Sequence, residues 1–210
     1  MPEVGVLERG KEVQMCGWLD AIALDESDAL AGDAEQVLFI GGRPGVGKRS
    51  LVSELHGQLA RQRVKHAVIE GAGLDLAYPP GWEHLLAERN LAAIWNTYRE
   101  LGYRRLIYSN TGSVCQVAGL VEAIGGRPKV AAVLLTAGDR TAAQRLAGRV
   151  PEHELAGQVE HGNRTARRLT ENTPGWVNRI DTENRSVAGL AVEVLQLTGW
   201  SQAAGTARSG

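Results

Sequence analysis

A glycine-rich turn wedged between an apolar run and a helical stretch constrains this chain more than any other feature. Residues 37–40 read Val-Leu-Phe-Ile, and residues 41–50 read Gly-Gly-Arg-Pro-Gly-Val-Gly-Lys-Arg-Ser. The pattern G-x-x-x-x-G-K-[ST] is met at Gly42, Gly47 and Lys48. Glycines let such a turn aim successive backbone N–H groups at anionic oxygens, and the following helix adds the positive end of its dipole. Gly42, Arg43, Gly45, Val46, Gly47, Lys48, Arg49 and Ser50 are therefore candidates to cradle the phosphates of a bound nucleotide, with Lys48 reaching the outer ones. Lysine is scarce here, since Lys11, Lys48, Lys65 and Lys129 stand against a large excess of arginine. Its presence in the turn is hard to ascribe to composition.

One position departs from the pattern. The hydroxyl residue that should follow the lysine and ligate Mg²⁺ is Arg49, and a guanidinium repels a cation. Either the metal is weakened, with Ser50 substituting in part as its ligand, or Arg49 itself neutralises phosphate through its planar fork.

From residue 36 the chain alternates β-rich runs with helical segments, the pattern of a parallel sheet covered on both faces. Strands are expected at 36–41, 65–70, 104–109, 129–136 and 176–181. Helices are expected at 49–61, 81–100, 113–124, 139–147, within 151–171, and at 186–197. The fold class is then α/β, a three-layer parallel five-stranded sheet. Because ligands gather at the carboxyl ends of such strands, the glycine turn, 70–80, 109–113 and 137–139 should share one rim.

The remaining sequence narrows the function. Two hundred and ten residues fit one domain at 36–200, preceded by an N-terminal helix and acidic linker at 1–35 and followed by a disordered tail at 201–210. Met15, Trp18, Leu19 and Ile22 lie at helical spacing, a stripe that either docks on its own domain or forms a partner or homodimer contact. A net charge of -1 speaks against nucleic acid as the main partner. No apolar stretch of about 18 residues is present, so a cytoplasmic protein without membrane contact is expected. Cys16 and Cys115 have no metal spacing, and nor do the five histidines.

The turn, the five-strand layout and Leu134-Leu135-Thr136-Ala137-Gly138-Asp139-Arg140 leading to Arg145-Leu146-Ala147-Gly148-Arg149 together resemble the small P-loop kinases. These are the gluconate, shikimate, adenylylsulfate and chloramphenicol phosphotransferase-like proteins. The resemblance implies ATP or GTP as cofactor and a lid whose R-x-x-x-R arginines, Arg145 and Arg149, close on the transferred phosphoryl group. It also implies that the Ile180-Asp181-Thr182 run borders the base, which brings Asp181 into the nucleotide site. Such charge-bearing groups suit phosphoryl transfer, where catalysis is mostly positioning and electrostatic stabilisation.

The acid that these kinases place beyond the second strand is less clear. Ala72 and Gly73 occupy its natural position, leaving Glu70 and Asp75 as alternatives for orienting or deprotonating the acceptor. Tyr78, Trp82 and Arg89 are candidates for the wall that reads a small-molecule substrate. The expectation is a nucleotide-binding phosphotransferase acting on a hydroxyl of a small metabolite or antibiotic-like molecule. The alternative is a catalytically degenerate nucleotide- or ligand-binding protein with a regulatory or partner-binding role, which Arg49 and Ala72 favour.

Overall fold

The computed structural model describes residues 34–200. The expected N-terminal helix and the tail lie outside the described residues. The chain runs β1 (Gln36–Gly42), α1 (Lys48–Arg61), β2 (Ala67–Glu70), α2 (Leu86–Glu100), β3 (Arg105–Ser109), α3 (Val117–Ile124), β4 (Lys129–Thr136), α4 (Asp139–Ala147), α5 (Glu152–Asn172), β5 (Asn178–Asp181) and α6 (Val187–Thr198). All strands are parallel, in the order β2-β3-β1-β4-β5. Among the described residues no helix is long and apolar enough to cross a membrane.

Central strands read as continuous apolar runs because both of their faces are covered. In β1, Val37 and Phe39 point to one layer, with Leu106, Tyr108, Leu91, Trp95 and Leu120 on the α2 and α3 side. Leu38 and Ile40 point to the other, with Leu51, Leu55, Val133, Leu190 and Val194 on the α1 and α6 side. The period-two alternation of a strand thus divides one sequence run between two cores.

Four expected elements differ in extent. β5 begins at Asn178 rather than residue 176, and α3 begins at Val117, after a short turn at Ser113–Cys115, rather than at residue 113. The β2 ladder begins at Ala67, which pairs with Leu106, rather than at residue 65; at a sheet edge a strand can extend only as far as its single neighbour. The helix expected at 81–100 is broken. A short turn, Trp82–His84, is followed by Leu85 at φ 50, in the left-handed region, and only then by α2. Glu35, expected in the acidic linker, is tied to the sheet layers: its carbonyl accepts from Lys129 N–H at 2.7 Å and its carboxylate pairs with Arg99 at 2.7 Å.

Candidate functional site

The strand order reverses direction around β1. The chain leaves β1 toward β2 on one side and returns to β4 on the other, so the loop after β1 opens into the crevice at the switch point. That loop is the glycine turn. Gly47, at φ 103, turns the chain into α1, and Gly45, at φ 80, lies so close to α4 that a Cβ would come within 2.5 Å of the Ala142 carbonyl oxygen. Gly42 N–H donates to the Thr111 carbonyl at 3.1 Å, and Asn110 N–H to the Ile40 carbonyl at 3.2 Å, which joins the loop after β3 to the same rim.

Lys48 curls over this loop. Its ammonium donates to the carbonyls of Gly42 at 2.5 Å and Arg43 at 3.2 Å. Burial lowers its pKa from 10.5 to about 8, because a desolvated ammonium is disfavoured. Those two carbonyls are weak substitutes for anionic oxygens.

Arg49 and Ser50 follow on α1. Arg49 extends into solvent and meets the Glu70 carboxylate, at the end of β2, at 3.3 Å. Ser50 is half-buried. Successive helical residues diverge by about 100°, so Ser50 leaves the helix in a different direction from the position that normally carries the hydroxyl.

The arginines sort into different duties. Arg43 is buried, and its side chain donates to Asp139 at the start of α4 and to Asn163 on α5. Its expected contribution to phosphate binding therefore narrows to its backbone; the guanidinium ties the loop to α4 and α5. Arg145, on α4, donates to the Val46 carbonyl at 3.3 Å, to Thr182 Oγ1 at 2.9 Å and to the Thr182 carbonyl at 3.0 Å. Thr182 is itself buried, with its hydroxyl within 3.1 Å of both the Val46 and Thr136 carbonyls. Arg145 is thus docked on the glycine turn, whereas Arg149 is exposed past the end of α4. Asp181 accepts from Glu183 N–H at 2.9 Å and so caps the turn after β5.

Beside the loop after β3 lies a cavity of about 360 Å³, lined by Asp75, Glu88, Tyr108, Asn110 and Gln116 among others. Its volume is in the range of small-molecule sites. Burial raises the Tyr108 pKa, a side-chain hydrogen bond from Asn110 opposes the shift, and the nearby Glu88 and Asp75 charges add to it. Gly71 makes room for the ring, since a Cβ there would fall 2.2 Å from the Tyr108 hydroxyl. Of the two acids considered from the sequence, Asp75 lines the cavity, and Glu70 is paired with Arg49 outside it. Arg89 and Tyr78 are not part of the lining; Tyr78 is 97% exposed. Trp82 belongs to the short turn before α2.

No protein-family model matches this sequence, and no curated protein matches it. Solved structures do. The tunicamycin resistance protein of Deinococcus radiodurans superposes with a TM-score of 0.53 at 17% identity, over 80% of this chain and 98% of that one. Shikimate kinase from Acinetobacter baumannii, in complex with shikimate, gives 0.52 at 14% identity over 79% of this chain and 93% of that one. This chain has the small P-loop kinase fold.

Within that kinase fold, sequence reasoning missed Thr182, Glu88, Tyr108 and Gln116. Thr182 was visible only as part of a run after the last strand, and nothing in its type signals that it fastens β4, the P-loop and Arg145 together. The cavity residues come from β3, α2 and the segment before α3, whose juxtaposition is not local. The residues present do not fit a dedicated Mg²⁺ site. The position that would ligate the ion holds a cation, the carboxylate of Glu70 at the end of β2 is paired with that cation, and no cluster of three acidic, histidine or cysteine side chains that could hold a metal ion occurs among the described residues.

Proposed function

We propose that this protein is a phosphotransferase that binds a nucleoside triphosphate on its P-loop and phosphorylates a hydroxyl of a small molecule held in the cavity beside it. One observation carries the reading. The loop that delivers Asn110 and Gly112 to the cavity is hydrogen-bonded to the P-loop through Gly42 and Thr111, so a phosphate-binding turn and a small-molecule cavity share one rim.

In this reading the loop amides and Lys48 hold the phosphates, Arg145 borders them from α4, and Arg149 closes from the lid. Lys48 exchanges two neutral carbonyls for anionic oxygens, which is the stronger pairing. Asp75 orients the acceptor. The acceptor oxygen forms a bond to the γ-phosphorus as the bond from that phosphorus to the β,γ-bridging oxygen breaks. The electron pair leaves with the nucleoside diphosphate, and the hydroxyl proton passes to the Asp75 carboxylate and then to water. Charge neutralisation falls to Lys48 and the arginines, with Arg49 exchanging Glu70 for phosphate.

The Arg49–Glu70 pair also favours a second reading, in which the protein binds nucleotide without turning it over. Thermal unfolding with ATP, ADP or GTP, each with and without Mg²⁺, tests the shared premise. Saturation at 100 times Kd adds about 2.7 kcal/mol to stability, and the absence of any shift would remove both readings. Nucleoside diphosphate released in the presence of an acceptor separates the two.

A further inference from the structure

The walls of the cavity specify the charge of what enters it. Its polar lining is Asp75, Glu88, Tyr108, Asn110 and Gln116, and the rest is largely leucine from the start of α2 and from α3. Among the described residues no lysine or arginine lines it, although the chain carries 23 of them. Neither Asp75 nor Glu88 has an ion-pair partner among the described residues. Two carboxylates therefore line one space with no ion-pair partner among the described residues.

Both are felt at the same point in it. The Tyr108 side chain is 1% exposed, and its hydroxyl responds to the charges of Glu88 and Asp75 together. A like-charged pair around a partly enclosed space focuses a negative potential inside it. A carboxylate or phosphate on the acceptor would be repelled. A protonated amine would be drawn in and would supply the charge that the two side chains lack. Leu85, in the same lining, takes the left-handed region at φ 50 where α2 begins.

We infer that the acceptor is a hydroxylated amine, bound as its cation, with the ammonium taken by Glu88 and the hydroxyl presented to Asp75. The inference rests on the phosphotransferase reading for the role of the cavity. Its charge argument does not depend on catalysis. The leucine side of the cavity accommodates the carbon skeleton, and the Gln116 amide can serve a further hydroxyl.

The test is direct binding of matched sugars to the full chain without nucleotide, followed by saturation-transfer NMR at neutral pH. Glucosamine, glucose and glucuronate share a skeleton and differ in charge. Glucosamine should bind about tenfold more tightly than glucose, and glucuronate should give no signal. Glu88→Gln should erase the preference for the amine, and Glu88→Lys should turn it toward glucuronate. Binding of glucuronate as tight as that of glucosamine, an amine preference that survives Glu88→Gln, or no binding of any of the three would overturn the inference. Because nucleotide is absent from these titrations, a failure of the ATP thermal shift sinks the phosphotransferase reading and leaves the charge preference separately measurable.

Discussion

Arg49 and Glu70 meet at 3.3 Å across the mouth of the P-loop, joining the residue that replaces the usual hydroxyl to the acid that ends β2. The side chains are 82% and 46% exposed, so the pair is worth no more than about 1 kcal/mol to stability. Its consequence is for the metal, because it places a cation where a cation would otherwise bind.

Arg49→Ser should therefore create Mg²⁺ dependence. The variant restores a hydroxyl and releases Glu70, and ATP affinity measured by titration should rise about tenfold on adding Mg²⁺. The wild-type protein should show little difference with and without the ion. An Arg49→Ser protein whose affinity ignores Mg²⁺ would count against this account of the departure.

Arg145 should matter twice. Its three hydrogen bonds to Val46 and Thr182 hold α4 on the P-loop, so Arg145→Ala should cost about 1–3 kcal/mol in urea unfolding and also abolish phosphoryl transfer. Arg145→Lys should not restore transfer, because an ammonium cannot reproduce the two-pronged contact with Thr182. Turnover retained in Arg145→Ala would remove this residue from the mechanism.

Lys48 links phosphate binding to pH. Its folded pKa of about 8 lies below the ordinary 10.5, so between these values the unfolded chain binds more protons than the folded one. This group's contribution to stability accordingly rises with pH from about 8 to about 10.5 and is flat below that window. A bound polyanion favours the protonated form, so nucleotide binding near pH 8 should take up a proton and weaken as pH rises further. Titration calorimetry in two buffers of different ionisation enthalpy reads this uptake, and Lys48→Met should eliminate it.

Arg43 should govern α4 and α5 rather than affinity alone. Its buried guanidinium holds Asp139 and Asn163, and Arg43→Ala should destabilise by about 1–3 kcal/mol. Amide exchange in α4 and α5 should accelerate before that of β1. Equal acceleration throughout the sheet would show that the tie is not specific to those helices.

Much of the architecture was legible because its signals are local. The apolar run at 37–40, the glycine turn and the alternation of β-rich and helical segments placed the five strands close to their observed bounds. The break before α2 was not legible, since Leu85 adopts a left-handed conformation that nothing in its side chain favours. Asp75 came from the sequence as one of two acids of equal standing, and its position in the cavity separates it from Glu70. Tyr78 and Arg89, expected in a substrate wall, lie outside the lining of this cavity.

By itself the sequence determined the glycine turn, its lysine, the misplaced Arg49 and the layered order of strands and helices, because backbone freedom and hydrophobic period act over a few residues. Only the tertiary structure decided which charges are spent on one another. Arg43 goes to α4 and α5, Arg49 to Glu70 and Arg145 to Thr182, while Asp75 and Glu88 are left lining a cavity. Those partners lie far apart in the chain, and a charged side chain is assigned by whatever the fold brings within a few ångströms of it.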